Sequence, residues 1–167
     1  LLNIKQGKYI GRILPNIKSI GWRYKALMDI GLFRRIIDEG IENGLYSIKL
    51  SLRGEPLLHP DICKLISYAK KKGVIDIYFN TNGTLLSKDK INQLIDSGLD
   101  RISVSFEGIG KTEYEKYRTG SNFENIISNV KLLRDIRRDR GLLYPQIRVQ
   151  TVQLPELKDV FDKYVEF

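Results

Sequence analysis

The sequence is poor in cysteine, in histidine and in long apolar runs. Its only cysteine, Cys63, cannot form a disulfide within the chain, which predicts a reducing, cytoplasmic location. No apolar run approaches the roughly 20 residues of a membrane span, and the chain does not begin with a signal-peptide pattern. His59 is the only histidine, and it does not lie at the carboxyl end of a predicted strand, so we assemble no Ser/His/Asp or Cys/His catalytic set there. We expect His59 to belong to a loop or to cap a helix.

Composition predicts one globular domain, because 167 residues with 42% apolar and 29% charged side chains can build a single core. The formal charge is +8. Cations are concentrated in residues 1–35, in Lys70–Lys72 and in a run on a late helix: Arg134, Arg137, Arg138 and Arg140. These clusters are expected to be solvated helix faces, and attraction to an anionic partner such as nucleic acid is the alternative. The apolar pattern that reaches Phe167 suggests a fragment of a longer protein, truncated at its carboxyl side.

Strands and helices are predicted to alternate along the chain. Alternating apolar residues predict strands at 1–6, 46–52, 74–80, 100–106 and 145–152. Helical spacing predicts helices at 29–44, 61–72, 87–98, 111–118 and 121–141, with Asp29, Ser87 and Ser121 as N-caps. This order predicts an α/β fold with a parallel sheet. In the absence of a Gly-x-Gly-x-x-Gly or Walker sequence, we interpret residues 1–167 as one incomplete (β/α) barrel of about five strand–helix units.

Polar residues lie at or near the carboxyl ends of the predicted strands, at the edge where parallel folds bind ligands. They are Arg53-Gly54-Glu55-Pro56, Asn80-Thr81-Asn82-Gly83, Ser103, Ser105, Glu107, Gly108, Arg148 and Gln150. The set is rich in hydroxyl and amide groups and carries two carboxylates. Such a set suits a small zwitterionic or nucleoside-like ligand.

Four motifs in order give the chain a resemblance to a known family. They are Gly54-Glu55-Pro56 after the second strand, Asn80–Gly83 after the third, SVSFEG from Ser103 on the fourth, and YEKYRTGSNFENIISNVKLL from Tyr114. Together they resemble the radical S-adenosylmethionine (radical SAM) superfamily, with the closest likeness to members that carry a SPASM-type extension. The resemblance covers nearly the whole chain and implies a partial barrel that binds S-adenosylmethionine (SAM).

The resemblance also implies a role for individual residues. Gly54, Glu55 and Pro56 match the motif that contacts the methionyl amino group. Ser105 and Arg118 match positions that hold the carboxylate or the ribose. Asn80, Thr81 and Ser103 would line the pocket, and Gln150 would lie near the adenine or the substrate. These roles suit the chemistry, since oxygen acceptors bind an ammonium group and a guanidinium binds a carboxylate.

The three cysteines that the family uses are missing. Radical SAM enzymes cleave SAM reductively at a [4Fe–4S] cluster, forming a 5′-deoxyadenosyl radical that acts on a peptide or a small molecule. Their ligands lie in a Cys-x-x-x-Cys-x-x-Cys loop, and the matching positions here are Gly7, Gly11 and Leu14. Because clusters are held by thiolates, the sequence predicts no [4Fe–4S] cluster, no metal site and no radical chemistry. Arg53 also replaces the usual leading glycine of the Gly-Glu-Pro motif.

Three hypotheses remain open from the sequence. The chain is an inactive remnant of a radical SAM enzyme core, a cluster-free module that binds SAM or a nucleoside, or, as the least favoured, a basic protein that binds an anionic partner. An incomplete barrel would leave the strand at 145–152 as an exposed edge, which favours association with another chain. The substrate of an active relative is left open by the sequence.

Overall fold

The computed structural model describes residues 27–51, 54–106, 110–118 and 120–151. The predicted first strand, the positions Gly7, Gly11 and Leu14, and the apolar pattern that reaches Phe167, which predicts a further helix after Pro155, lie outside the described residues. Arg53, Glu107 and Gly108 also lie outside them. Within the described part, the helices are α1 Ile30–Glu42, α2 Ile62–Lys71, α3 Lys88–Asp96, α4 Lys111–Tyr117 and α5 Phe123–Asp139. The strands are β1 Ser47–Lys49, β2 Asp76–Thr81, β3 Arg101–Ser105 and β4 Gln146–Gln150, and a 3-10 turn spans Pro56–Leu58.

The four described strands form one parallel sheet in the order β1-β2-β3-β4. Helices connect the strands, so the predicted α/β class and the incomplete, barrel-like arrangement are confirmed. The strands are shorter than predicted, and β1 in particular ends at Lys49.

The register separates the sheet into an apolar and a polar face. Phe79 pairs with Ile102 and Ile102 with Ile147, while Asn80 pairs with Ser103 and Ser103 with Arg148. Since paired residues share a face and successive residues alternate, one face is polar along all four strands. Its residues are Ser47, Lys49, Asp76, Tyr78, Asn80, Arg101, Ser103, Ser105, Gln146, Arg148 and Gln150.

The helices pack on the apolar face and form one core with it. Ile77, Phe79, Ile102 and Val104 of the strands are fully buried there. Asp29 and Ser87 cap α1 and α3 as predicted, each accepting a hydrogen bond from an N–H of the first turn. The N-cap of α5 is Asn122 rather than the predicted Ser121, and its side chain accepts from the N–H of Asn125.

A hydrogen-bonded cluster occupies the amino-terminal end of the polar face. Arg101 donates from Nε and Nη2 to the two carboxylate oxygens of Asp76, at 2.8 and 2.5 Å. Ser47 donates to Asp76 Oδ2 at 2.7 Å, and the guanidinium of Arg101 lies 4.1 Å from the ring centroid of Tyr78. The hydrogen bonds from Arg101, with a smaller contribution from Ser47, hold the pKa of the Asp76 carboxyl below its usual value.

Replacing Asp76 with asparagine (Asp76→Asn) is expected to lower the free energy of unfolding by about 1 kcal/mol at neutral pH. A lowered pKa in the folded state stabilises the fold above the unfolded pKa of about 4, and this contribution is lost as pH falls through the folded pKa. The native chain should therefore exceed the variant in free energy of unfolding by the whole of this amount above about pH 4, and by progressively less below pH 4. Urea unfolding at several pH values measures it.

The matched control is Asp96→Asn, which breaks the more exposed ion pair with Arg140. We expect that change to cost less than about 0.5 kcal/mol. Equal losses in the two variants, or a difference that grows below pH 4, would contradict the assigned role of Asp76.

Candidate functional site

A polar cavity of about 410 Å³ lies at the carboxyl ends of β1, β2 and β3. Its lining residues are Lys49, Ser51, Gly54, Glu55, Asn80, Thr81, Asn82, Ser105 and Arg118. The loop after β1, the loop after β2, the end of β3 and the end of α4 each contribute to it. Six of the nine predicted binding residues therefore lie around one cavity.

Two glycines allow the loops to turn at the strand ends. Gly54 has φ +83° and Gly83 has φ +77°, in the left-handed region that side chains disfavour. At Gly83 a Cβ would also lie 3.1 Å from Cγ1 of Val104. The Asn82-Gly83 pair is thus a structural turn, as its sequence indicates, and Asn82 in addition lines the cavity.

The Glu55 carboxylate joins the two loops. Its Oε1 accepts from the N–H of Leu57 at 3.1 Å and from the hydroxyl of Thr81 at 2.7 Å. Its Oε2 accepts from the N–H of Asn82 at 2.8 Å. Because ionised carboxylates make stronger hydrogen bonds than neutral groups, these contacts fix both the carboxylate and the loops that carry it.

The remaining cavity residues come from separate elements. Arg118 follows the last turn of α4, where its N–H donates to the carbonyl of Tyr114 at 2.8 Å. Ser105 is the last residue of β3. Ser51 accepts from the N–H of Asn80 at 3.3 Å, which links the end of β1 to β2. The cavity therefore depends on the relative placement of three strands and one helix.

Three of the predicted site residues do not line this cavity. Pro56 begins the 3-10 turn and lines a neighbouring, mostly apolar groove of about 730 Å³ between α1 and β1. Ser103 and Gln150 lie on the polar face in register with Asn80 and Ser105, respectively, but outside the cavity lining. The roles of all nine predicted residues in binding a cofactor stay predictions.

Three cavity residues, Lys49, Ser51 and Asn82, were not among the nine predicted to bind a cofactor. Lys49 and Ser51 lie within and just after β1, whereas for this strand the prediction considered only the residues from Arg53 onward. The alternation of apolar and polar residues in this strand was the signal that could have found them, because it places Lys49 and Ser51 opposite the buried side.

The charges in the cavity suit a ligand with both signs. Glu55 brings a carboxylate, while Lys49 and Arg118 bring cations, and amide and hydroxyl groups lie between them. An ammonium group is matched by the carboxylate, and a carboxylate or phosphate by the guanidinium. The arrangement can bind and orient a small polar molecule.

His59 and Cys63 have structural roles in the described residues. His59 accepts from the N–H of Asp61 through Nδ1 at 3.1 Å, and its Nε2 lies 2.9 Å from the carbonyl oxygen of Met28. The prediction that His59 belongs to a loop or caps a helix is confirmed. Cys63 lies on α2 beside the core, and burial raises the pKa of its thiol.

A [4Fe–4S] cluster does not fit the residues of this chain. The cluster needs several thiolates, and the sequence holds one cysteine, whose raised pKa favours the protonated thiol. Among the residues that the structure describes, no three His, Cys, Asp or Glu side chains form a group that could hold a metal ion.

The described cationic clusters are largely engaged with carboxylates. Lys70 contacts Asp100 at 2.9 Å and Lys72 contacts Asp38 at 2.7 Å. On α5 and just after it, Arg134, Arg138 and Arg140 contact Asp135, Asp139 and Asp96. These pairs favour solvated helix faces over an anion-binding surface, while most of the basic stretch at 1–35 lies outside the described residues.

A search for membrane-crossing segments in the described part of the chain finds no helix with the length and apolar character required.

Residues 10–159 match a family model described as the Radical SAM superfamily. Among curated proteins, the probable GTP 3′,8-cyclase of Methanococcus maripaludis is 37% identical over 105 residues, which are 63% of this chain and 35% of that protein. The probable GTP 3′,8-cyclase of Methanocaldococcus jannaschii is 33% identical over 114 residues, which are 68% of this chain and 37% of that protein. The chain thus spans about a third of the length of these relatives.

Among solved structures, BtrN in complex with AdoMet and 2-DOIA matches with a TM-score of 0.46 and 16% identity, over 77% of this chain and 59% of that one.

Proposed function

Because this chain belongs to the radical SAM superfamily, we propose that its polar cavity binds SAM or a related nucleoside without cleaving it reductively. The observation that supports this is the convergence of Gly54, Glu55, Asn80, Thr81, Ser105 and Arg118 around one cavity. The family resemblance had assigned all six to SAM from sequence motifs that lie far apart in the chain.

The proposed contacts follow from the charges of the ligand and of the cavity. The Glu55 carboxylate attracts the ammonium group of the amino-acid end, and Arg118 attracts its carboxylate. Asn80 and Ser105 supply amide and hydroxyl groups for the ribose. Lys49 adds a second cation at the wall formed by β1.

The absence of reductive cleavage rests on the missing thiolates. In the family, the cluster supplies the electron for cleavage. Here the corresponding positions are Gly7, Gly11 and Leu14, which carry no donor atom for iron. We therefore propose a cluster-free binding domain formed by residues 1–167.

A purine nucleotide is a second candidate ligand, because the named relatives are probable GTP 3′,8-cyclases. The polar face of the sheet carries exposed cations at Lys49, which lines the cavity, and at Arg148, which lies on the same face outside the cavity lining. Such cations suit phosphate groups. The likeness to members with a SPASM-type extension stays a prediction, since the names of these relatives do not mention such an extension.

Titration calorimetry on the iron-free chain tests the proposal. We expect SAM to bind with a measurable heat, and Glu55→Gln to weaken binding about tenfold, because one charged hydrogen-bonding partner is lost. Glu42→Gln, at the end of α1 and outside the cavity lining, should leave the affinity unchanged. GTP titrated in parallel decides between the two candidate ligands.

Lack of binding by the native chain would refute the proposal and favour the inactive remnant. If the chain binds GTP and not SAM, the cavity is a site for a purine nucleotide, which is the second candidate ligand. If the chain instead binds nucleic acid, with an affinity that falls steeply as the salt concentration rises, the basic interaction protein is favoured.

A further inference from the structure

The Thr81 hydroxyl has a fixed direction in the structure. Its oxygen accepts from the N–H of Gly83 at 3.0 Å and lies 2.7 Å from Glu55 Oε1. A carboxylate only accepts, so the hydroxyl proton points to Glu55. Thr81 is 2% exposed, and its hydroxyl is therefore shielded from competing water.

This hydroxyl belongs to a chain of donors that ends on one carboxylate. Gly83 donates to Thr81, Thr81 to Glu55 Oε1, Leu57 to the same oxygen, and Asn82 to Oε2. Connected hydrogen bonds strengthen one another in a shielded site. Oε2 accepts a single hydrogen bond from the described residues, so it keeps acceptor capacity toward the cavity that Glu55 lines.

We infer that Thr81 is a positioning residue, which recognises the amino-acid end of the ligand indirectly by holding the Glu55 carboxylate in place. The inference rests on the proposed function. Thr81 borders the cavity, but its hydroxyl contacts Glu55 and not the ligand. Its hydroxyl orients Oε2 toward an ammonium group, while the adenosine part of the ligand is bound by other residues.

Two ligands separate this role from a general loss of structure. S-adenosylhomocysteine carries the amino-acid end, and 5′-methylthioadenosine lacks it. Thr81→Val removes the hydroxyl at nearly constant volume, and Thr81→Ser keeps it. Thr84→Val is the matched control, because the Thr84 hydroxyl lies in the same turn but donates to Asn82 Oδ1 at 2.7 Å rather than to Glu55.

Calorimetry on the full chain at a temperature where all variants are folded provides the measurement. We expect Thr81→Val to weaken S-adenosylhomocysteine about tenfold and to change the affinity for 5′-methylthioadenosine by less than about twofold. Thr81→Ser and Thr84→Val should both remain near the native affinities for the two ligands.

The outcomes distinguish the positioning role of Thr81 from the proposed function of the cavity. If the native chain binds neither ligand, the proposed function and the positioning role are refuted together. If the native chain binds both and Thr81→Val weakens both equally, or neither, only the positioning role is refuted. The positioning role is supported if Thr81→Val weakens only the binding of S-adenosylhomocysteine and Thr81→Ser keeps the native affinity for it.

Discussion

A chain that carries Gly7→Cys, Gly11→Cys and Leu14→Cys together is expected to bind one [4Fe–4S] cluster, whereas the native chain binds none. The three positions keep the Cys-x-x-x-Cys-x-x-Cys spacing of the family, and thiolates are the side chains that hold such clusters. Anaerobic reconstitution followed by iron and sulfide analysis and visible absorbance measures the change. The expected difference is four iron atoms per chain against none.

Spacing is the variable that the control must change. A chain with Gly7→Cys, Ile10→Cys and Leu14→Cys has the same number of added thiols in the order Cys-x-x-Cys-x-x-x-Cys. We expect this variant to bind much less than one cluster per chain after reconstitution. Equal uptake by the two variants would show that the loop does not retain a family ligand site. Stoichiometric iron and sulfide in the native chain would refute the cluster-free proposal itself.

The sequence predicted the position of the candidate site because a parallel sheet imposes it. Once Gly54-Glu55 and Asn80-Thr81 were assigned to the ends of successive strands, their convergence followed from topology. The contact between Glu55 and Thr81 did not follow, since it depends on side-chain rotamers across 26 residues of sequence. The spacing of motifs predicts which edge of the sheet carries the site, whereas the hydrogen bonds at that edge can be identified only from the three-dimensional structure.

Burial was predicted less well at the margins of the sheet. Ile75 continues the apolar alternation of Ile77 and Phe79 within the predicted strand 74–80, yet it is 71% exposed, and the observed strand begins only at Asp76. Leu32 and Ile36 continue the apolar stripe of α1 but are 42% and 47% exposed. Periodicity identifies which residues share a face, and it leaves open how far a neighbouring element covers that face.

Phe79→Ala is expected to give the largest loss of stability among single changes near the site. Phe79 is fully buried in β2, which is paired on both sides, and it lies opposite Ile102 in the register. Truncating a buried phenylalanine costs about 3–5 kcal/mol, since apolar contact is lost and a cavity remains. Total free energies of unfolding of about 5–15 kcal/mol are usual, so the variant should lose a large fraction of its free energy of unfolding. Urea unfolding measures this loss.

The same change should also reduce ligand binding, because Phe79 directly precedes the cavity residues Asn80 and Thr81. Phe79→Leu keeps an apolar side chain and should cost less than half as much. Tyr78→Ala, on the opposite face of the same strand, loses mainly the contact with Arg101 and should cost about 1 kcal/mol. A loss at Tyr78 equal to that at Phe79 would mean that the polar face is as tightly packed as the core. The open, ligand-accessible face proposed for the cavity would then be untenable.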